Sequence, residues 1–370
     1  MNTRSKNFEF REASMNDGAK MLEILEEPDF QGNISIIYTR RPNPVISFKA
    51  EGNDVIIMIC QKADTKEMVG FGVCTIREHY IHGKLVNVGY LSGLRIKKAY
   101  RNIPFLLMDA YQELIERISN KGITWLYTTV LDDNAKVQQM FEKKRKSFPY
   151  YIPISNYKVF CVTTRLKKKS TALYEHKTAT KEDIPRLLEF VNAKGSQQDL
   201  YPKITIEDLL GETRLNLHFS HYYISIDLED GNIIATFYVW RQHTTKQHIL
   251  YKYNGMYKFL KHVGPLLPYF GYPKLPKEGT ELKYYYLSYF AYEEEKILVA
   301  EELIRYIASV IDSNYFLIGM VETDPLFQVM EKMAKITYGS KVYMVDYVKS
   351  EDSIRRIESL HTPYIECGLL

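Results

Sequence analysis

Two stretches of the chain carry apolar residues at steps of three and four: Leu107, Ala110, Leu114, Ile118, and Ile297, Ala300, Ile304, Ile307, Ile311. Such steps line one face of a helix. Runs of β-branched and aromatic residues between turn residues predict the strands. In the first half these are Val55–Cys60, Val69–His79 and Val86–Ile96, with turns at Asp64–Glu67 and around His82-Gly83. A helix over Pro104–Asn120, closed by Lys121-Gly122, then leads to a strand at Trp125–Leu131 and a helix from Asn134. The second half repeats the order. Strands at Tyr222–Leu228 and Ile233–Arg241 flank the turn Glu229–Asn232, and a strand at Glu281–Phe290 precedes a helix over Glu294–Ile311. A strand at Tyr315–Glu322 and a helix from Pro325 complete it.

The halves also begin alike. Arg11-Glu-Ala13-Ser14-Met-Asn-Asp17 leads into Met21-Leu22-Glu23-Ile24-Leu25, and Lys177-Thr-Ala179-Thr180-Lys-Glu-Asp183 into Leu187-Leu188-Glu189-Phe190-Val191. Ala, Asp, Leu and Glu coincide, and basic, hydroxyl and apolar positions keep their chemistry. Each copy reads as a strand end, a capping hydroxyl and an apolar helix. We read a duplicated α/β (α+β) unit, divided in the linker Thr163–Ser170 into domains 1–167 and 168–370. The second carries an insertion, 242–280, that mixes lysines with Tyr251, Tyr253, Tyr257, Phe259, Tyr269, Phe270 and Tyr272. Such a mixture suits base stacking and phosphate contact. A long ordered loop packing its tyrosines against one of the cores is the favoured reading.

Composition narrows the class. With 45% apolar and 25% charged residues the 370-residue chain is an ordinary globular sequence, long enough for two cores. No apolar run reaches bilayer length, which argues against a membrane role. The segment Met1–Asn7 lacks a signal peptide's apolar stretch, so a cytoplasmic location is the expectation. Cys60, Cys74, Cys161 and Cys367 lack metal-ligand spacing and read as free thiols, most of them buried, with no metal expected. A net charge of +4 is too small to imply nucleic acid. The thirty tyrosines point to aromatic-rich packing or a stacking surface.

The segment Leu91-Ser-Gly-Leu94-Arg95-Ile96-Lys97-Lys98-Ala-Tyr100-Arg101-Asn102-Ile103-Pro104-Phe105-Leu106-Leu107 is a strand feeding a basic turn that opens a helix. It resembles the acyl-CoA-binding signature of the GNAT superfamily of N-acetyltransferases, and the element order resembles that family over about 8–165 and 173–348. The resemblance implies two tandem GNAT-like domains, each a mixed, mostly antiparallel twisted sheet flanked by helices. It implies acetyl-CoA as co-substrate and acetyl transfer to a primary amine of a small molecule or peptide. The carrier would lie along Leu94, Arg95 and Ile96, with its phosphates at the turn Arg101, Asn102, Ile103, Pro104 and Phe105, near Asn134 and Phe141. Backbone N–H groups and the helix dipole favour a diphosphate there.

Arg101 takes the family's Arg position, but Pro104 and Leu106 replace its two glycines, and Leu106 adds bulk where the backbone should be approached closely. Phe141 replaces the Tyr that in many members protonates the departing thiolate, so Phe141 reads as core and a proton must come from Tyr150, Tyr151 or water. Asn134 reads first as a helix cap. Glu78 and His79 are the candidate bases, each competing with an ordinary surface role, as His82 also does. The run Lys143–Lys146 reads as a solvated helix face. The second half ends its fourth strand on Glu293-Glu294-Glu295, which would repel phosphate, so carrier binding is not expected there. It would shape the acceptor site or a homodimer contact. Two rivals stand beside the transferase: a scaffold of two degenerate domains, and an aminoacyl or longer-acyl transferase.

Overall fold

The computed structural model describes residues 7–27, 34–103, 105–145, 148–167, 171–255, 258, 264 and 276–370. The first half comprises β1 (Phe8–Glu12), α1 (Gly18–Leu25), β2 (Ile34–Thr39), α2 (Pro44–Lys49), β3 (Asp54–Lys62), β4 (Met68–Ile81) and β5 (Lys84–Ile96). It continues through α3 (Leu106–Asn120), β6 (Trp125–Leu131), α4 (Ala135–Glu142) and β7 (Tyr150–Thr163). The second half comprises β8 (Tyr174–Thr178), α5 (Ile184–Gly195), α6 (Ile206–Leu209), β9 (Tyr222–Asp227), β10 (Ile233–Trp240) and β11 (Gln247–Tyr253). It closes with β12 (Tyr285–Tyr292), α7 (Ile297–Val310), β13 (Tyr315–Val321), α8 (Phe327–Met333), β14 (Ile336–Asp346) and α9 (Glu351–Glu358).

The matching openings fold alike. Asp17 accepts from the Ser14 backbone N–H at 2.7 Å and hydroxyl at 2.8 Å, and Asp183 accepts from those of Thr180 at 2.8 and 3.0 Å. These reciprocal caps satisfy donors that a helix start leaves open. The basic position reaches the same carboxylate in both: Arg11 at 2.7 Å from Asp17, Lys177 at 3.4 Å from Asp183.

Twelve strands form one sheet in the order β1-β3-β4-β5-β6-β14-β7-β13-β12-β10-β9-β8. The order is a palindrome in which each half's run is the mirror of the other's. Two pairs are parallel, β5 with β6 and β12 with β13, and the rest are antiparallel. The centre holds an exchange. β14, from the end of the second half, pairs with β6 from Ser340↔Leu131 to Met344↔Tyr127. β7, from the end of the first, pairs with β13 from Tyr315↔Thr163 to Val321↔Tyr157. The exchanged strands also pair with each other along their length. Burial follows: one apolar cluster joins Val88, Tyr90 and Tyr127 to Phe237, Leu287 and Ile318 of the second half.

Most expected elements fall within a few residues of their predicted bounds. The insertion does not read out as a loop at its start: β11 pairs with β2, from Ile34↔Tyr253 to Thr39↔Gln247, and ties the second half to the first. Tyr253 is buried and Tyr251 is exposed; Tyr257, Phe259, Tyr269, Phe270 and Tyr272 lie outside the described residues. Beneath this ribbon, buried Glu51 meets Arg40 at 2.9 Å and Lys246 at 3.0 Å. Lys246 also donates to the carbonyls of Gly368 and Leu370. All four cysteines are free and buried, and burial pushes each thiol up to about 12. The tyrosines serve packing, with Tyr157, Tyr201, Tyr222, Tyr238, Tyr289 and Tyr343 fully enclosed.

Residues 1–167 expressed alone expose the inner edge of β6 and are expected to sediment as aggregate, with co-expressed 168–370 restoring a soluble, folded complex. A folded monomer of 1–167 in near-ultraviolet circular dichroism would refute this. Asp17 is held below the usual carboxylate range, chiefly by the Arg11 hydrogen bonds. Its contribution is therefore present above the unfolded pKa, near 4, and fades as pH falls below it. Asp17→Asn should cost about 1–2 kcal/mol at pH 7 in urea titration, with wild type and variant converging toward pH 2.

Candidate functional site

The parting of β5 from β6 is built into the backbone. The two strands are bonded only at Val88↔Trp125, Gly89↔Leu126 and Tyr90↔Tyr127. Beyond that point β6 runs with β14, while β5 stays with β4. A register shift between Phe71 and Val73 bulges β5, where Gly93 has φ +61°. A Cβ there would meet the Phe48 ring at 3.0 Å, so both conformation and space call for glycine. At the fork the hydroxyls of Tyr90 and Thr129 are 3.0 Å apart, and Thr128 donates to the Leu91 carbonyl at 2.7 Å.

Past the fork come Leu94, Arg95 and Ile96 at the end of β5, and then the turn that leads to α3. Leu94, Phe105 and Leu131 are exposed by 39, 56 and 48%, an apolar lip on solvent. Arg95 donates to the Leu94 carbonyl and Arg101 Nε to the Ile96 carbonyl, each at 3.0 Å, so both guanidinium groups brace the turn. Arg101 and Asn102 are exposed, and Ile96 and Ile103 half-buried. Phe105 enters α3 through a left-handed residue, φ +64°, and accepts from Asp109 N at 2.9 Å. Pro104 lies outside the described residues.

Three expectations need correction. Leu106 is 3% exposed and packs with Cys60 and Val69, so its bulk points into the core and does not crowd the helix start. Asn134 is exposed and begins α4 without a side-chain cap; its backbone carbonyl accepts from Val137 and Gln138 instead. His79 is no surface residue: it is 3% exposed, its ring edge against Tyr127. Burial, aided by the Arg77 cation, pulls its pKa down to about 3.

The remaining candidates fall as follows. Phe141 is core, stacked on Tyr151 at 3.7 Å between centroids. The Tyr151 hydroxyl donates to that of Tyr111, and burial holds it protonated. Tyr150, half-buried, lies under Lys144 and Lys349 at the far end of β7. Lys143, Lys144 and Arg145 are exposed but follow the end of α4 at Glu142, so they are not the helix face expected, and Lys146 lies outside the described residues. His82 is 42% exposed beside Asp199. Among the described residues no group of three or more His, Cys, Asp or Glu is placed to hold a metal, and no helix is long and apolar enough to cross a membrane.

Two features had no local signal. One is a cavity of about 280 Å³ where β4 meets the second half, walled by Arg77, Glu78, Lys203, Asp208 and Arg214. Glu78 stands 3.4 Å from Lys203. The other is a plug. β12 and β13 part after Leu287↔Ile318, beside a bulge and a left-handed Tyr289, φ +43°. The buried segment Tyr364–Leu369 fills this second gap. Glu366 accepts from Tyr289 N at 2.7 Å, Gly368 N at 2.8 Å and the Tyr364 hydroxyl at 2.7 Å. Tyr157 donates to the Ile365 carbonyl at 3.1 Å. At the acidic turn, Glu293 pairs with Lys194.

No family model and no curated protein matches the sequence. Solved structures do. N-myristoyltransferase from Saccharomyces cerevisiae with bound myristoyl-CoA superposes on 93% of this chain and 84% of its own, at a TM-score of 0.58 and 12% identity. A GCN5-related N-acetyltransferase from Anabaena variabilis does so over 91% and 72%, at 0.51 and 11%. The chain therefore has the mixed α/β GNAT fold in the form seen in N-myristoyltransferase structures, a large, mostly antiparallel sheet flanked by helices.

Because His79 is neutral when folded yet takes a proton when unfolded, the unfolded chain binds more protons below about pH 6.5. Stability should fall as pH drops from 6.5 toward 3. His79→Gln should flatten that slope in thermal melts; an unchanged slope would place the titrating groups elsewhere.

Proposed function

We propose that the protein is an acyl-CoA-dependent acyltransferase whose carrier enters between β5 and β6 and whose acceptor is a primary amine. The observation that carries this reading is the fork at Tyr90. It opens one strand edge beside a helix start, within a fold shared with an enzyme solved with bound myristoyl-CoA. The open edge of Leu94–Ile96 offers backbone groups to the amide arm of a thioester carrier. The turn Arg101–Phe105 and the positive end of α3 suit its phosphates, and the exposed lip of Leu94, Phe105 and Leu131 suits the arm's apolar portions.

In the reaction the amine lone pair forms a C–N bond to the thioester carbonyl. The C–S bond breaks, and the ammonium proton passes to a base while the thiolate leaves and takes up a proton. Of the candidates, Glu78 fits the base better, since it borders the cavity. A neutral imidazole held near pKa 3 is too weak a base. We read the acyl group as acetyl, with a longer chain as the alternative, the location as cytoplasmic, and the units 1–167 and 168–370 as copies that exchanged their last strands.

A non-catalytic binding role is the second reading, favoured by the plugged second gap and the enclosed Phe141–Tyr151 pair. Calorimetric titration of the full chain with acetyl-CoA and with myristoyl-CoA decides. Saturable binding of one of them is expected, weakened about tenfold in Arg101→Ala as a charge-assisted contact is lost. No heat from either at millimolar concentration would sink the proposal.

A further inference from the structure

The wall of the 280 Å³ cavity holds a buried cation that forms no ion pair among the described residues. Arg77 is 4% exposed, and its one hydrogen bond among the described residues runs from Nη1 to the Tyr289 hydroxyl at 3.3 Å. Its Nε has no partner, and no carboxylate among the described residues pairs with it. A phenol does not neutralise a guanidinium, and an unpaired buried charge is costly. The two carboxylates on the same wall are engaged. Glu78 faces Lys203, and Asp208 accepts from Thr205 N at 3.0 Å and the Thr213 hydroxyl at 2.7 Å. With Lys203 and Arg214 on the wall as well, three cations face two carboxylates.

Other buried hydroxyls near Arg77, outside the cavity lining, also lack partners. Thr75 lies two residues from Arg77 on the same face of β4, and its hydroxyl has no partner. The hydroxyls of Tyr201 and Tyr222 also have none. Tyr222 reaches the Arg77-bound Tyr289 through Tyr238, at ring separations of 4.9 and 6.2 Å.

Arg77 is also well placed for transfer. It pairs with Val88 across β4 and β5, which makes Tyr90, at the fork, its diagonal neighbour at roughly 7–8 Å between Cα atoms. The lining of the cavity includes no residue of β5 or β6, so an acceptor anchored at Arg77 by its acid end would extend past this neighbour to meet whatever lies in the fork. The cavity has room for about nine waters, hence for a small organic molecule.

We infer that this cavity is the acceptor pocket, and that the acceptor is a small amine bearing an oxyanion, carboxylate or phosphate, which pairs with Arg77. As an acceptor assignment this rests on the acyltransferase reading; as a binding site it does not. The anion anchors and orients, and the free amine at the other end is the nucleophile.

The test is calorimetric titration of the full chain, without acyl-CoA, with three amines of matched spacer: β-alanine, O-phosphoethanolamine and ethanolamine. Binding of at least one acid about tenfold or more tighter than ethanolamine is expected, and the tighter acid identifies the anion class. Arg77→Met should abolish the preference and Arg77→Lys partly restore it, folding being checked by circular dichroism. Should the buried substitution unfold the chain, Arg214→Ala at the rim should still weaken the acids and spare ethanolamine. Equal binding of all three, or heat from none, overturns the inference. If an acid binds while no acyl-CoA does, the pocket stands and the acyltransferase reading falls; the reverse result leaves that reading and removes this one.

Discussion

The pairing of β7 with β14 at the centre of the sheet is the constraint on which the rest of the molecule depends. β6 and β13 each end a parallel pair, and each needs a partner on its free edge, because buried backbone groups left unbonded are costly. Each finds that partner in the other half's last strand. The exchange turns two half-sheets into one continuous surface, so the wall carrying Arg77 and the wall carrying Tyr289 meet at a fixed separation. The ribbon of β2 and β11, and the buried group of Arg40, Glu51 and Lys246 beneath it, add a second tie.

The palindrome produces two forks, and their divergence is chemical. In the first half Gly93 supplies the left-handed bulge, and the strand edge beyond it ends at an exposed apolar lip. In the second, Tyr289 holds the equivalent bulge against its preference, supported by the Glu366 carboxylate on its N–H. A segment tied down by Glu366, Tyr364 and Tyr157 fills the space beyond. One fork stays open past Tyr90, and the other is filled by the chain itself.

A motif groups residues through the backbone, but it does not fix where their side chains point. Leu94–Ile96, Arg101–Ile103 and Phe105 lie together because a strand, a turn and a helix start follow one another along the chain. Leu106 seemed to obstruct that turn, yet the helical twist aims it inward at Cys60 and Val69. Asn134 has the chemistry of a cap without its geometry. His79 looked like a strand-end surface group because the second half that covers it lies far along the chain; Pro202 forms a bridge with it. Arg77 attracted no notice at all, since one arginine in a strand is unremarkable until it is seen to be buried without an ion pair among the described residues.

Short-range order was written in the chain itself. Three-to-four spacing set α3 and α7, β-branched runs set most strands, and the twin caps at Ser14 and Thr180 marked where each half begins, all through interactions within a few residues of one another. What lay beyond reach was which distant edges would join: β14 slipping between β6 and β7, β11 crossing to β2, and Tyr364–Leu369 entering the second fork. Those choices depend on competition among many similar apolar edges, settled by total burial and hydrogen bonding over the whole molecule. The open fork and the buried Arg77 arise from that settlement, which is why they belong to the tertiary structure and to no local pattern.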